Sequence, residues 1–336
     1  MGRTTALITL PNAKNCRSPR ELVGDFVTLF GTADPELLEH EGKAFTAGGR
    51  RYTVDVHGHS LSVYSGTGSR RTIAHDVIVR KIADIMGFAG LPGVAVEDAN
   101  VFKCCIDSTA RRRRYLQQLG SHTTGHGIRP DLSVPRHPFA RSSVGPSQHQ
   151  LYDVKTIGRT PTYHTPYRVQ PADQRARAVP GEYRRSAIQC DRTWNGTPPG
   201  TVGTFEAYLR SLPPVIGLGF GGYGEWSKEV DSLIGQLAEI ASAVPERLGC
   251  CHGPAQAQGQ YAQWARKHLH RESLREVSRC RHAALDRLLL RPTETYAGDP
   301  DHCRMMDDSP NDPGVANAWD SSDARGAYED RPPRAA

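Results

Sequence analysis

Long apolar segments are missing from this sequence of 336 residues. The start of the chain, MGRTTALITLPN, has no apolar run long enough for a secretion signal. No later segment reaches the ~18 apolar residues of a membrane-spanning helix. We therefore expect an intracellular protein that does not enter a membrane.

Closely spaced cysteine pairs are also missing. None of the eight cysteines forms a Cys-x-x-Cys motif, the usual framework of a structural zinc site. Cys250, Cys251 and His252, with Cys280 and His282, are a poor zinc set, because adjacent cysteines do not easily reach one tetrahedral ion. Without a secretion signal, we expect ordinary reduced thiols.

Hydrophobic residues are scarce, at 38% of the chain, and the mean hydropathy is −0.53. Such a chain is expected to leave part of its length unpacked. From residue 293 to the end there are ten acidic residues and four arginines, a net charge of −6, which leaves +12 for the rest of a chain with a net charge of +6. We predict a disordered acidic tail over residues 292–336 and a basic body that suits a nucleic acid or serves solubility.

Residue patterns divide the chain before this tail into three parts. Residues 1–69 are predicted to be an N-terminal extension with a helix at 19–30 and a hairpin, because Tyr52, Val54 and Val56 alternate after a Gly-Gly pair. Residues 70–249 are the predicted core. Residues 250–291 are predicted to be a basic helical segment.

The predicted core has the order helix, strand, strand, strand, helix, strand, helix. Its first helix is expected to end at Gly87 and Gly90, and its second is expected to be interrupted at Pro180. The strands are predicted at 91–102, 128–134, 149–158 and 213–220, with a basic, turn-rich insertion over 108–127. This order predicts an α/β fold with a central mixed sheet flanked by helices.

Three charged side chains lie on two neighbouring predicted strands. Asp131 begins one strand, and Asp153 and Lys155 lie two residues apart on the next, where a period of two points both to the same face. If the strands form a hairpin, Asp131 lies beside Asp153. Two carboxylates and the Val154 carbonyl are oxygen ligands that suit Mg²⁺ or Mn²⁺, and an adjacent ammonium favours phosphodiester hydrolysis.

Simpler interpretations of these residues remain open. Asp153 and Lys155 would also occur as an ordinary ion pair on an exposed strand face. Asp131 after Pro130 would also serve as a turn former. Gly217 to Gly222 contain many glycines but lack the lysine of a P-loop, so we interpret them as a strand whose backbone passes close to another segment.

The pattern Pro130-Asp131 followed by Asp153-Val154-Lys155 resembles the motif of the PD-(D/E)xK nuclease superfamily. The resemblance implies a restriction-endonuclease-like core. It also implies that Asp131, Asp153 and Val154 hold the metal and that Lys155 takes part in catalysis. Glu97, or less favourably Asp98, is a candidate for a third acidic ligand; the alternative is surface charge at the end of a strand.

A second resemblance is to the restriction-like endonuclease domains of non-LTR retrotransposons. The run Arg70 to Asp76 resembles the histidine motif that precedes the nuclease motif in those proteins, although Ala74 stands where the pattern has Arg. The segment from Val202 to Ile234 resembles the segment after the nuclease motif in the same proteins. Their zinc motif and reverse transcriptase are missing here, so the resemblance implies a mobile-element nuclease whose polymerase is encoded elsewhere.

Other residues are candidates for contacting the nucleic acid. His75 would orient a phosphate or a water, or would cap or pack the helix. A basic run is predicted to be a flexible loop that contacts DNA phosphates, a nuclear-import signal or a solvated charge run; it comprises Arg111, Arg112, Arg113 and Arg114.

These observations predict a Mg²⁺- or Mn²⁺-dependent endonuclease acting on DNA in the nucleus. The alternatives are an inactive nuclease-like domain that still binds nucleic acid, and a protein whose sheet carries these charges without function.

Overall fold

The computed structural model describes residues 33–47, 50–58, 61, 70–120, 127–134, 149–157, 171–222, 224–243 and 253–289. The predicted helix at 19–30 and the predicted disordered tail at 292–336 lie outside these ranges. So do Cys250, Cys251 and His252.

A four-stranded mixed sheet forms the centre of the described part of the chain. Its strands are β3 (Ala95–Val96), β4 (Leu132–Val134), β5 (Gln150–Thr156) and β6 (Ile216–Phe220), in that order across the sheet. The pairs β3–β4 and β4–β5 are antiparallel, and β5–β6 is parallel. A separate antiparallel hairpin contains β1 (Ala44–Ala47) and β2 (Arg50–Thr53). The predicted hairpins and mixed sheet are confirmed.

Helices lie on both faces of the sheet. The described α-helices are α1 (Pro35–Leu38), α2 (Arg70–Ala89), α3 (Thr109–Gly120), α4 (Pro171–Cys190), α5 (Thr204–Ser211), α6 (Lys228–Ser242) and α7 (Pro254–Leu289). A 3-10 turn covers Lys103–Cys105, and a π-helical turn, Asp191–Asn195, follows α4. None of the described helices is long and apolar enough to cross a membrane.

The two faces of β5 contact different helices. Tyr152 and Val154 belong to a buried cluster with apolar side chains of α2, α6 and α7. Leu151 belongs to a second cluster with α3, α4 and α5. Because side chains alternate along a strand, Asp153 and Lys155 lie on the face that α4 covers.

Helix α4 lies unusually close to β6. A methyl group at Gly217 would be 2.2 Å from the Ala176 carbonyl oxygen, and one at Gly219 would be 2.3 Å from that of Ala172. Only glycine allows this approach, which agrees with the interpretation of the glycine run as a strand near other backbone. The approach holds α4 over Asp153 and Lys155.

The predicted interruption at Pro180 is wrong, because α4 runs through this residue without a break. Proline has no N–H to donate to the carbonyl four residues earlier, which is that of Ala176. This carbonyl lies on the side of α4 that contacts Gly217. Buried Val179 and Tyr183 on either side of the proline stabilise the helix against the cost of the missing bond.

The predicted flexible loop at the arginine run is also wrong, because residues 109–120 form α3. Arginine, leucine, glutamine and alanine all favour helices. Tyr115 is fully buried in this helix, and its hydroxyl donates to the Ile128 carbonyl at 3.1 Å. This contact attaches α3 to the segment just before β4.

Two further boundaries and one helix differ from the prediction. Strand β3 contains only Ala95–Val96, because Glu97 has a left-handed backbone with φ of 51°. Helix α2 continues through Gly87 and ends before Gly90, whose φ is 94°.

Helix α5 is not among the predicted elements of the core. Its first amides, those of Phe205 and Glu206, each donate to the Asp191 carboxylate at 2.9 Å.

The N-terminal hairpin region contacts the far end of α7. Leu37, Val54 and Leu61 form a small apolar cluster with two residues of that helix. Asp34 and Arg281, both almost fully buried, form an ion pair at 2.8 Å. The segments predicted as separate N-terminal and C-terminal additions therefore pack against each other.

Candidate functional site

Strands β4 and β5 bring Asp131 to the middle of β5. Leu132 is paired with Tyr152 in the antiparallel register, so Asp131 lies just beyond the end of this pairing. Its Oδ2 accepts a hydrogen bond of 2.6 Å from the Val154 amide. The Asp131 carboxylate is thereby held against the backbone between Asp153 and Lys155, as the predicted hairpin requires.

His75, in the second turn of α2, contacts this carboxylate from the other side. Its Nε2 is 3.2 Å from Asp131 Oδ2 and 3.2 Å from the Val154 carbonyl oxygen, and its Nδ1 is 3.2 Å from Asp76 Oδ1. Burial lowers the pKa of His75, but hydrogen bonds and charges from Asp131 and Asp76 outweigh it and raise the pKa to about 9. His75 is therefore an imidazolium at neutral pH, and both of its N–H groups donate.

Asp153 is buried, with a side chain that is 9% exposed. Its Oδ2 is 2.7 Å from Lys155 Nζ, and its Oδ1 accepts a hydrogen bond of 3.1 Å from the Tyr183 hydroxyl. Burial raises the pKa of Asp153. The positive charge of Lys155 lowers this pKa, and the negative charge of Asp131 raises it. The interpretation of Asp153 and Lys155 as an exposed ion pair is therefore wrong.

Lys155 lies between two carboxylates. Besides Asp153, its ammonium contacts Glu182 Oε2 at 3.5 Å, and Glu182 also pairs with Arg175 through its other oxygen. Burial lowers the pKa of Lys155, but the charges of Asp153 and Glu182 outweigh it and raise the pKa. The ammonium form is therefore stable in this site.

Tyr183, Glu182 and Arg175 are site residues that the sequence analysis missed. All three lie on α4, and burial, with the charge of Asp153, raises the pKa of Tyr183 well above its ordinary value. The hydroxyl therefore stays protonated and donates. Apolar residues at helical spacing on either side of Pro180 were the available signal, because they predict one continuous helix whose buried face includes Tyr183.

Glu97 contacts Asp131 through the backbone. Its amide donates to the Asp131 carbonyl at 2.9 Å, whereas its carboxylate pairs with Arg129 at 3.3 Å. Asp98, the other candidate, accepts a hydrogen bond from the Asn100 amide at 2.9 Å. Glu97 thus fixes Asp131, the residue just before β4, and its carboxylate is directed to Arg129.

The arginine run divides into two kinds of residue. Arg111 donates to the Trp194 carbonyl at 3.1 Å, and Arg112 donates twice to the Ile106 carbonyl, at 3.1 and 2.7 Å. Arg113 and Arg114 are exposed. The first pair fastens α3 to its surroundings, and the second pair extends into solvent.

Three groups at the centre of this site offer oxygen atoms to a cation. They are the carboxylates of Asp131 and Asp153 and the carbonyl of Val154, a set that suits a hard divalent cation. Among the described residues, no group of three His, Cys, Asp or Glu side chains has the arrangement of a metal site. A site with two carboxylates and one backbone carbonyl leaves its other positions to water and substrate.

Comparisons with known proteins give no match: no family model, no curated protein and no solved structure is similar to this chain.

Proposed function

We propose that this protein is a metal-dependent endonuclease that hydrolyses DNA phosphodiester bonds, with a restriction-endonuclease-like core derived from a mobile element. The observation that carries the proposal is that Asp131 Oδ2 accepts a hydrogen bond of 2.6 Å from the amide of Val154, the residue between Asp153 and Lys155, whose charged atoms lie 2.7 Å apart. The order α2, β3, α3, β4, β5, α4, α5, β6 supports it, because the PD-(D/E)xK resemblance requires a helix and strand before the motif and a helix and strand after it.

The residues present fit Mg²⁺ or Mn²⁺. Asp131, Asp153 and the Val154 carbonyl would hold the ion. Asp131 Oδ2 and the Val154 carbonyl oxygen both lie 3.2 Å from His75 Nε2, so these two oxygens face a common position. When bound, the ion supplies Lewis-acid stabilisation of the charge that develops on the phosphate.

The remaining chemistry belongs to side chains of this protein. The Lys155 ammonium donates to the attacking water or to a phosphate oxygen, which stabilises negative charge there. Tyr183 holds Asp153 in one orientation through its hydrogen bond. His75 holds Asp131, and Glu97 fixes the backbone of Asp131. Arg113 and Arg114, which are exposed on α3, would contact DNA phosphates.

Nicking of supercoiled plasmid tests this proposal. Purified protein with Mg²⁺ or Mn²⁺ is expected to convert the plasmid to the open-circular form, and Asp153→Ala and Lys155→Ala are expected to lose the activity. Glu239→Gln is the matched control, because Glu239 is an exposed acidic residue on α6, outside the site. Loss of nicking in the control as well would contradict the assigned site.

The second candidate function is an inactive nuclease-like domain that binds nucleic acid. The observation that favours it is that His75 donates to two of the oxygens a metal would use, while Lys155 is held by two carboxylates. Such a protein would bind DNA in chelator with a steep salt dependence and would not cut it with any metal. Action in the nucleus and a polymerase partner encoded elsewhere remain predictions under either function.

A further inference from the structure

Aromatic side chains form a strip where α2 packs against α7. The Phe88 ring centroid is 4.6 Å from that of Trp264 and 6.2 Å from that of Tyr261, and the Trp264 centroid is 4.9 Å from that of His268. Tyr261 is buried, and its hydroxyl donates to the Ile85 carbonyl at 2.6 Å. Phe88 is nevertheless 43% exposed, so part of the strip faces solvent.

Positive charge surrounds the His268 end of this strip. Burial lowers the pKa of His268. Three nearby cations, Lys81, Arg271 and Lys267, lower this pKa further, and the negative charge of Glu272 raises it by less. Two acidic groups nearby offset part of this charge. Asp84 contacts Lys81 at 3.4 Å, and Glu272 contacts Arg275 at 3.9 Å.

The strip runs along the length of α2. Ile85 contacts Tyr261, whereas Lys81 lies near His268, so the two helices are antiparallel. Phe88 is thirteen residues after His75 on the same helix, which at 1.5 Å per residue is about 20 Å along its axis. At 3.6 residues per turn, these thirteen residues also rotate the helix by about 220°, so Phe88 and His75 lie on different sides of α2 and the strip is a surface separate from the proposed site.

We propose that the surface formed by Phe88, Trp264 and His268 with Lys81, Lys267 and Arg271, here called the α2–α7 strip, binds single-stranded nucleic acid. An exposed aromatic ring stacks on the face of an unpaired base, a face that a duplex hides, and the cations neutralise the flanking phosphates. The inference rests on the proposed function, because it adds a strand-binding surface to the nuclease.

The test is binding of a fluorescent oligo-dT strand and of a duplex of equal length, measured by anisotropy in EDTA. Phe88→Leu keeps an apolar side chain but removes the π face, so it is expected to weaken oligo-dT binding about tenfold and leave duplex binding unchanged. Val202→Ala is the matched control, since Val202 is 48% exposed and lies outside the strip.

The phosphate contacts are tested by salt dependence. Lys267→Gln is expected to lower the slope of log binding constant against log salt by about one, whereas Lys43→Gln on the hairpin region should not change it. Circular dichroism melting checks that each variant is folded. Three results would overturn the inference. The first is unchanged oligo-dT binding by Phe88→Leu, and the second is an equal loss of affinity for the strand and for the duplex. The third is that Phe88→Leu abolishes a self-associated dimer.

These results are independent of nicking. A Phe88→Leu effect in EDTA without any metal-dependent nicking would overturn the proposed nuclease activity and leave the strip as a binding surface. Nicking with no Phe88→Leu effect would overturn the strip alone.

Discussion

His75 and Asp131 are 56 residues apart in the chain and form a hydrogen bond of 3.2 Å that joins α2 to the start of β4. The same His75 nitrogen is 3.2 Å from the Val154 carbonyl oxygen. An imidazolium therefore lies between two of the three oxygens that we assign to the metal. This position links the charge state of His75 to the geometry of the site.

The first prediction concerns pH and stability. The pKa of His75 is raised to about 9 from 6.5, so its stabilising effect is fully present below about pH 6.5 and is lost as pH rises through about 9. The shift corresponds to about 3 kcal/mol. Denaturant unfolding from pH 6 to 10 should show this loss in the wild type and a flatter profile in His75→Gln. Parallel profiles for the two proteins would contradict the ion pair.

A second prediction concerns Tyr183. Tyr183→Phe removes the donor to Asp153 Oδ1 and leaves a buried carboxylate oxygen without it, which should cost about 1–3 kcal/mol of unfolding free energy. Nicking should fall as well, because Asp153 loses its fixed orientation. Tyr152→Phe is the matched control on the opposite face of β5, and its nicking should equal that of the wild type. Equal nicking by both variants would remove Tyr183 from the site.

The third prediction concerns Glu182. This carboxylate helps to raise the pKa of Lys155, so Glu182→Gln should lower that pKa and move the alkaline limb of the nicking rate to lower pH. Glu239→Gln, an exposed position on α6, is the control and should keep the wild-type profile. An unshifted alkaline limb in Glu182→Gln would show that Lys155 is not the group titrating there.

The fourth prediction concerns the contact between α4 and β6. Gly217→Ala places a methyl group 2.2 Å from the Ala176 carbonyl, so the unfolding free energy should fall by about 1–3 kcal/mol and nicking should weaken as α4 shifts. Gly235→Ala is the opposite case. It lies inside α6 with no neighbouring atom within 4 Å, and alanine should stabilise the helix by up to about 1 kcal/mol. A harmless Gly217→Ala substitution would contradict the close approach.

The sequence predicts the centre of the site well because that centre depends on local patterns. Asp153 and Lys155 share a strand face by alternation, and the apolar residues around them mark the strands that form the hairpin with Asp131. Val154 faces the opposite apolar cluster, as alternation requires. These features need no knowledge of distant contacts.

The rest of the site depends on tertiary contacts. Glu182 and Tyr183 lie shortly after Pro180, and a predicted helix break there separates them from the strands, whereas packing against β6 keeps the helix continuous. The arginine run has the composition of a solvated charge run. Only burial of Tyr115 and its bond to Ile128 identify it as a packed helix.

Metal-dependent nicking by wild-type protein and by Asp131→Asn is the most direct measurement of the central claim. Metal is first removed from both proteins, and Mn²⁺ is then added in steps with supercoiled plasmid present. We predict that wild-type nicking appears and saturates with the metal, while Asp131→Asn stays at the level of the chelator control. No wild-type nicking at any Mn²⁺ concentration, or the same rate in the variant, would contradict the assignment of Asp131, Asp153 and Lys155 as a nuclease site.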